Sequence, residues 1–454
     1  MILKNLIYIL QSENYDFKRF FTFAYTHVAW WNLENRQKIT WTPKAQLLWI
    51  VTTIFFWCIT GLFFTFYNIH GLFIIPVLLI ILPLIIGIVL TCITPIDTLL
   101  KGRKINTAKK IISTSEALTI GIAGSYGKTS TKEILATILS QKFEIIKTPE
   151  NTNTDIGIAG FIMKNRKKFK PETIFIVEMG AYKKGEIEST CKMVHPTHSI
   201  LTGINESHLE RFGNLDNTIQ AKFELPVNTT DLTILNFDDE NIKNNHTHFP
   251  IIKHVGIRRQ NVQHVRARAS FTGLEFEWEN TVYKTGLLAE HNITLILLCL
   301  EIAQHLGLSA DEISRGVEKL QPIEHRLQPI YNTHTDIMVI DDSYNGNLNG
   351  IKSGLEVLNR ATGRKVVLTP GLVELGFKVG DIHAEIADLY TKHADLVLLI
   401  KNKITDHIVK RFKENAFTHY KIYKTTQEAH DDLKNVLQRG DTIIFQNDLT
   451  DNYF

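Results

Sequence analysis

The stretch GIAGSYGKTSTKEIL, residues 121–135, decides how this chain folds. An apolar run at 118–120 precedes it and a segment with helical periodicity follows, so the pattern predicts a strand, a glycine-rich turn and a helix. Backbone N–H groups of such a turn and of the helix N-terminus bind phosphate. The common phosphate loop has Gly, four residues and Gly-Lys-Ser/Thr, but here Ile122 stands where the first Gly would be. The sequence therefore indicates a nucleotide-binding loop of a shorter form.

Two side chains of this loop suit phosphate chemistry. Lys128 can reach the outer phosphate oxygens, and the Thr129 hydroxyl can be a ligand of Mg²⁺. A glycine turn followed by lysine also occurs by chance, so this interpretation needs support from the rest of the chain.

Polar residues stand at the ends of several other apolar runs. Glu178 ends one strand pattern, His208 follows another with Lys222 on the helix beyond it, and Asp341 and Asp342 end a third. Ligands gather at the carboxyl ends of parallel strands, and a buried carboxylate there needs a cation or a hydrogen-bond donor. Glu178 is therefore either a metal ligand or a structural partner of an arginine. Alone, the histidine fits a hydrogen-bonded side chain equally well, and the aspartates fit turns or helix caps.

Alternating strands and helices indicate two α/β domains with largely parallel sheets. The first alternation predicts a central domain over 115–322, and the second predicts a C-terminal domain over 323–454. The segment QPIEHR at 321–326 is the predicted hinge between them. Within the first domain, 293–320 is typical of two helices, with Ser309 as the N-cap of the second.

Residues 45–96 contain no Asp, Glu, Lys or Arg. Within them, 47–67 and 72–93 are each long enough to cross a hydrocarbon core of about 30 Å. The pattern predicts two transmembrane helices, and the alternative is a buried helical hairpin of a soluble protein. Lysines and arginines flank the pair on both sides while the connection at 68–70 has none, so both ends face the cytoplasm by the positive-inside rule. Such a short connection also suits a re-entrant hairpin.

The flanking segments complete the prediction for the N-terminal part. Residues 1–44 are aromatic and basic, which fits either an amphipathic segment on the inner leaflet or a helix packed on the catalytic domain. Residues 97–114 are expected to be a basic linker. The predicted location is the cytoplasmic membrane, with two spans and cytoplasmic catalytic domains. The net charge of +3 is too small to indicate a nucleic-acid partner.

Taken together, the motifs resemble those of the Mur ligase family, which makes the stem peptides of peptidoglycan. The resemblance covers about 115–400 and rests on nine motifs in the family's order, which are GSYGKTSTKE, TPENTNTDIG, VEMGAYKKGEI, SHLERFGNLDNTIQAKFEL, LNFDDE, HNI, HRLQ, IDDSYNGN and LVELG. It implies a central phosphate-loop ATPase domain and a smaller, Rossmann-like C-terminal α/β domain. These would follow the two-helix transmembrane hairpin.

The resemblance also implies which residues carry the chemistry. The catalytic residues would be Lys128, Glu178, His208 and Lys222. ATP would be bound by Gly124, Gly127, Lys128, Thr129, Ser130, Asn292, Arg326 and Asp342. Mg²⁺ would be held by Thr129, Glu178, His208 and Lys222, the last as a carbamylated lysine with a carboxylate-like head. The substrates would be contacted by Asn151, Asn153, Tyr344 and Asn345.

The implied reaction is ATP-dependent amide formation through an acyl phosphate. The motif wording is most similar to the branch that adds D-alanyl-D-alanine to UDP-N-acetylmuramoyl-tripeptide. Nothing in residues 1–114 resembles a uridine site, however, so a lipid-linked precursor or another acid such as poly-γ-glutamate stays open as the substrate. A non-catalytic ATP-binding scaffold for cell-wall synthesis is the alternative from a different class. Expected partners are the precursor, the dipeptide, the inner leaflet and other cell-wall synthesis proteins.

Overall fold

A computed structural model of the 454-residue chain describes residues 2–13, 15–26, 39–150, 152–206, 209–268, 271–344, 346–373, 375 and 378–446. The chain forms two compact units that meet in sequence at residues 103 and 104. The first unit is helical, and the second contains the sheets.

The first unit is built from helices around one small apolar core. Its helices are α1 Ile2–Ser12, α2 Phe17–Thr26, α3 Pro43–Tyr67, a 3₁₀ segment Asn68–Phe73, α4 Ile74–Ile80 and the start of α5 Leu82–Ser115. Leu6 and Phe20 pack with Leu48 and Ile86 in this core. The amphipathic residues near the N-terminus thus bury their apolar face against the apolar helices.

Two predictions for this unit need correction. The segment 72–93 is not one regular α-helix, because it starts in the 3₁₀ segment and the α-helix is interrupted at Ile81 between α4 and α5. Pro83 lies in the first turn of α5, where backbone N–H groups have no acceptor within the helix. The lack of an N–H on proline therefore costs no helical hydrogen bond. The segment 97–114 is not a linker, since it forms the second half of α5. Lysine and arginine are good helix formers, and the only residue there that opposes a helix is Gly102.

Two helices of the described chain are long and apolar enough to cross a membrane, one starting at Pro43 and the other at Leu82. Length and composition alone support this, and a buried helix of a soluble protein can pass the same test. The outer face of α3 is rich in large exposed apolar side chains, with Trp57 61% and Phe66 74% exposed.

A six-stranded parallel sheet forms the centre of the second unit, in the order β2-β3-β1-β4-β5-β6. Its strands are β1 Leu118–Ala123, β2 Glu144–Lys147, β3 Thr173–Glu178, β4 His198–Leu201, β5 Leu232–Asn236 and β6 His254–Ile257. The central strand β1 pairs with β3 on one side and with β4 on the other. Every parallel strand ends at the same edge, so the residues that follow β1, β3 and β4 meet there.

Helices cover both faces of this sheet. They are α6 Lys128–Leu139, α7 Asp155–Lys164, α8 Glu186–Val194, α9 Leu209–Phe212, α10 Leu215–Val227, α11 Glu240–Asn245, α12 His291–His305 and α13 Ala310–Glu318. One core lies under α6 and α12, and a second core lies under α7, α8 and α10. Ser309 caps α13 as predicted, with a reciprocal bond from Glu312.

A small antiparallel sheet precedes α12, and the sequence analysis did not predict it. Its strands are β7 Gln263–Ala267, β8 Leu274–Trp278 and β9 Thr281–Thr285. The sequence signal is present, because β8 alternates buried and half-buried residues along LEFEW. Phe276 and Tyr283 join the core beneath α12.

The C-terminal domain is a second six-stranded sheet in the order β10-β11-β15-β12-β13-β14. The strands are β10 Gln328–Asn332, β11 Ile337–Asp342, β12 Lys365–Thr369, β13 Leu396–Ile400, β14 Tyr420–Tyr423 and β15 Thr442–Gln446, and only β10 runs antiparallel to its neighbour. The helices are α14 Leu348–Leu358, α15 Val379–His393, α16 Thr405–Glu414 and α17 Thr426–Val436. The predicted fold class, two α/β domains, is confirmed.

Candidate active site

The glycine loop lies between β1 and α6, at the carboxyl edge of the central sheet. Gly127 has φ +77° and immediately precedes α6, and Gly124 has φ +154°, so both occupy a region that favours glycine. A Cβ on Gly124 would lie 2.1 Å from the Thr202 hydroxyl oxygen. The loop can therefore fold this tightly only because its glycines carry no side chain.

The end of β4 holds the loop in place. The Ser125 N–H donates to the Gly203 carbonyl at 2.7 Å, and the Thr202 hydroxyl donates to the carbonyls of Ala123 and Tyr126. The Tyr126 hydroxyl donates to the Asp239 carboxylate at 2.7 Å. The sequence analysis missed these supports, because only the pairing of β1 with β4 and of β4 with β5 brings them to the loop.

Two polar groups of the loop suit an anionic ligand. The Lys128 ammonium group donates to the Gly124 carbonyl at 2.9 Å, so it is folded back onto the loop. Burial lowers its pKa and Arg326 adds to this effect, while Glu178 opposes it. The Ser125 hydroxyl oxygen is buried and has no hydrogen-bond partner in the described structure. Both groups would gain partners from phosphate oxygens.

Glu178 ends β3, and its register partner is Ile122 on β1, directly before the loop. Its Oε2 atom accepts hydrogen bonds from the Thr129 hydroxyl at 3.0 Å and from the Lys132 ammonium group at 3.1 Å. Burial acts to raise the pKa of this carboxyl, but Lys128, Lys132 and the hydrogen bonds outweigh it and hold the pKa below its ordinary value. Glu178 is therefore an ionised carboxylate at the loop, and its buried partner is a lysine, not the arginine that the sequence left open.

Lys132 is the main functional residue that sequence reasoning missed. Its side chain is fully buried against Glu178. A signal was present, since Lys132 follows Lys128 by four residues and Thr129 by three, and such residues share a helix face.

Lys222 lies on α10, close to the same edge of the sheet. Its side chain is buried, and its ammonium group donates to the Ala181 carbonyl at 3.3 Å and lies 5.5 Å from the centre of the Phe212 ring. Burial, together with repulsion from Lys128, lowers the pKa of Lys222 to about 7, against the attraction of Glu186 and Glu224. The buried position thus favours the neutral amine form of this lysine.

Arg326 approaches this edge from the start of the C-terminal domain. Its guanidinium carbon lies 4.2 Å from the centre of the Tyr344 ring, and its Nε atom is buried without a hydrogen-bond partner in the described structure. Its charge lowers the pKa values of both Lys128 and His291, so it faces the loop and the start of α12. Asn292 is buried in the first turn of α12.

The remaining predicted residues fall at the rim of this site or outside the described chain. The backbone carbonyl of Asn153 accepts a hydrogen bond from the Gly180 N–H at 2.8 Å, just beyond Glu178. Burial raises the pKa of Asp342, at the end of β11, to about 8, although the hydrogen bond from the Leu327 N–H and the charge of Arg326 act to lower it. Ser130 is buried on α6. The other three predicted residues lie outside the described residues, namely Asn151, His208 and Asn345.

The donor set fits a nucleoside triphosphate with a divalent cation. Among the described residues, the Arg326 Nε–H and the Ser125 hydroxyl have no partner and Lys128 donates only to loop carbonyls, and phosphate oxygens satisfy such groups. A threonine hydroxyl and an ionised carboxylate 3.0 Å apart are the oxygen ligands that Mg²⁺ prefers. The fold and site thus define a phosphate-loop nucleotide-binding protein.

The chain belongs to the Mur ligase family. Residues 122–303 match the family's "Mur ligase middle domain", and residues 325–446 match its "Mur ligase, glutamate ligase domain". Mur ligases are cytoplasmic, ATP-dependent enzymes that form amide bonds and generally use Mg²⁺. The resemblance drawn from the motifs is confirmed.

Several relatives carry the same name. The chain is 27% identical over 280 residues to the UDP-N-acetylmuramoyl-tripeptide–D-alanyl-D-alanine ligase of Haemophilus influenzae, covering 59% of this chain and 60% of that protein. It is 24% identical to the Bacillus subtilis ligase of that name, covering 72% of each. The chain thus spans about three fifths of the first relative's length.

Solved structures share the fold. MurF from Acinetobacter baumannii aligns with a TM-score of 0.67 at 23% identity, covering 76% of this chain and 77% of that one. MurF from Thermotoga maritima, solved in complex with ADP, aligns with a TM-score of 0.66 at 21% identity, covering 76% and 80%.

Proposed function

We propose that this protein is an ATP-dependent amide ligase that joins D-alanyl-D-alanine to the carboxylate of UDP-N-acetylmuramoyl-tripeptide. One observation carries the proposal, which is that Lys128, Thr129 and Glu178 meet at a glycine loop in a chain of this family, with Lys222 close enough for Lys128 to lower its pKa. The names of the matched relatives supply the substrates. A non-catalytic scaffold would not need this buried charged set.

The chemistry follows from the charges. A carboxylate oxygen of the acid attacks the γ-phosphorus of ATP, which forms an acyl phosphate and releases ADP. Lys128 and Arg326 would offset the repulsion between the two anions, and bound Mg²⁺ would supply further charge neutralisation. The free amine of the dipeptide then attacks the acyl carbon, loses a proton, and phosphate leaves with the bonding electrons. The products are the amide, ADP and inorganic phosphate.

The test is phosphate release by the purified full-length chain with ATP and Mg²⁺. UDP-N-acetylmuramoyl-tripeptide and D-alanyl-D-alanine are added singly and together, and the product is weighed by mass spectrometry. Release only with both substrates, with a product heavier by the dipeptide, supports the proposal. Without release, the same assay with a lipid-linked precursor tests the second candidate donor, which the apolar helices of the first unit favour.

We further propose that the first unit anchors the enzyme in the membrane, with the catalytic unit in the cytoplasm. The hydroxyls of Thr53, Thr60 and Thr91 donate to carbonyls four residues earlier in their own helices, which satisfies them without water. Charged side chains lie together at one end of α3 and α5, where the Asp97 carboxylate forms ion pairs with Lys44 at 2.8 Å and with Lys101 at 3.0 Å. The 25-residue α3 is about 38 Å long, enough to span the hydrocarbon core.

Removal of residues 2–103 tests the anchor. The full-length chain should float with phospholipid vesicles, and the chain shortened to start at residue 104 should stay in the soluble fraction and keep ligase activity. Residue 104 is the suitable start because Ala108 and Ile112 are buried in the core of the catalytic unit. A start at residue 116 is the matched control, which should unfold more easily. Flotation of the shortened chain, or loss of its substrate binding, would contradict a pure anchor.

Lys222 is proposed to be carbamylated, because its pKa of about 7 leaves a neutral amine that can attack CO₂. The neutral fraction grows as pH rises through 7, so labelling should increase from pH 6 to pH 8. With ¹³C-bicarbonate, the full-length protein should show a carbamate carbon signal by NMR. Lys222→Arg should lose this signal and most activity, and a short carboxylate should partly rescue Lys222→Ala. A signal of equal strength in Lys222→Arg would place the carbamate elsewhere.

A further inference from the structure

A second polar cluster lies at the opposite edge of the central sheet from the glycine loop. His198 is the first residue of β4, Asp231 directly precedes β5, and His305 is the last residue of α12. The loop follows the carboxyl end of β1, whereas these residues stand at the amino ends of the neighbouring strands. The cluster therefore has no part in the proposed reaction.

The three side chains converge on one point. Nε2 of His198 lies 3.4 Å from Oδ2 of Asp231, and Nε2 of His305 lies 3.3 Å from the same oxygen. The two imidazole rings are 5.1 Å apart at an angle of 62°, and all three ligand atoms lie within 4.8 Å of one another. Two nitrogens and a carboxylate oxygen thus surround a common centre.

The contacts of His198 show which ring nitrogen faces the other two side chains. Its Nδ1 atom lies 2.9 Å from the Thr197 hydroxyl oxygen, and its Nε2 atom faces Asp231. In the neutral tautomer with the proton on Nδ1, Nε2 has a lone pair that a metal ion can accept.

His198 is buried, with a side chain only 5% exposed, and its Nε2 atom has no hydrogen-bond partner in the described part of the chain. An orphaned buried nitrogen aimed at two further ligand atoms is the arrangement of a metal site.

We propose that His198, Asp231 and His305 bind a divalent transition-metal ion, with Zn²⁺ the best fit. Tetrahedral zinc with bonds of 2.0–2.1 Å separates its ligands by about 3.3 Å. The two contacts with Asp231, at 3.4 and 3.3 Å, match that spacing, and the two histidine nitrogens lie within 4.8 Å of each other. Two imidazole ligands favour a transition metal over Mg²⁺ and Ca²⁺, which prefer oxygen ligands. The Asp231 and His305 side chains are 48% and 31% exposed, so the ion has an entry path and a fourth position open to water.

Such an ion would join three elements that the chain brings together from distant positions. It would tie the C-terminal end of α12 to the starts of β4 and β5, while the first turn of α12 carries Asn292 at the nucleotide edge. The site would therefore stabilise the central domain without contacting the nucleotide.

Co²⁺ titration of the untagged, metal-free full-length chain tests this proposal. We expect one Co²⁺ per chain with the visible absorption of a low-coordinate site, and displacement by Zn²⁺. His305→Gln should weaken Co²⁺ binding at least tenfold and remove the absorption. His334→Gln, a change of an exposed histidine in a turn, is the matched control and should bind as the unaltered chain does. Equal binding by His305→Gln, or no binding by the unaltered chain, would overturn the proposal.

A thermal measurement covers the case in which one variant folds poorly. Zn²⁺, but not Mg²⁺, should raise the unfolding temperature of the full-length chain, and Asp231→Asn should lose that rise while its metal-free circular dichroism spectrum is unchanged. A Zn²⁺-dependent rise that persists in Asp231→Asn would contradict the assignment of this ligand.

Discussion

Replacement of Lys128 by alanine is expected to lower the rate of ATP-dependent phosphate release about 1,000-fold. The Lys128 ammonium group would bind the oxygens of the transferring phosphoryl group. Removal of one such preorganised donor costs about 2.7–4 kcal/mol of transition-state stabilisation. In the described structure it donates only to loop carbonyls, so its loss should leave the folded state intact. The measurements are steady-state phosphate release and thermal unfolding.

Lys142→Ala is the matched control for this experiment. Lys142 follows the far end of α6 and donates to the Gly307 carbonyl, well away from the loop. The Lys142→Ala change removes the same charge and should leave the rate of phosphate release within a factor of two of that of the unaltered chain. Unchanged turnover in Lys128→Ala would remove the phosphate-loop assignment, whereas an equal loss in Lys142→Ala would show that the assay reports net charge.

Replacement of Lys132 by methionine is expected to destabilise the catalytic unit by about 3 kcal/mol. The change leaves Glu178 buried beside Thr129 without its closest cation, and an uncompensated buried charge costs about 3–5 kcal/mol. Lys128 also interacts with Glu178, which places the expected cost at the lower end of that range. Urea unfolding of the full-length chain in detergent, followed by fluorescence, measures the difference.

The double variant Lys132→Met, Glu178→Gln should recover part of this stability, because it removes both members of the pair, but it should remain inactive. Lys192→Met is the exposed counterpart, since the ammonium group of Lys192 bonds Glu188 at 2.6 Å in solvent and its loss should cost less than about 1 kcal/mol. Equal midpoints for Lys132→Met and Lys192→Met would mean that the buried pair does not stabilise the fold.

The sequence predicted what depends on local pattern. The strand that ends at Glu178, the Ser309 cap and the glycine turn are each encoded within a few residues, and the structure has all three. The neighbours of the loop are not encoded locally, because Thr202 and Asp239 reach it only through strand pairing across the sheet. The predicted linker at 97–114 is a helix, because a run of lysines and arginines does not oppose helix formation and helix propensity there is high.

The His198 cluster shows the same limit. Its members are separated by 33 and 74 residues along the chain, so no spacing rule for metal ligands applies to them. Only the order of the strands and the length of α12 bring them to one point.

The contact between Gly203 and Tyr126 has a consequence for ligand affinity. A Cβ on Gly203 would lie 2.1 Å from the Tyr126 ring, so the ring can cover this residue only when it is glycine. With that ring in place and its hydroxyl bonded to Asp239, the loop is ordered before any ligand arrives. The entropy of ordering the loop is then lost during folding and not during binding, so this ordering cost does not reduce the affinity for a compact anion.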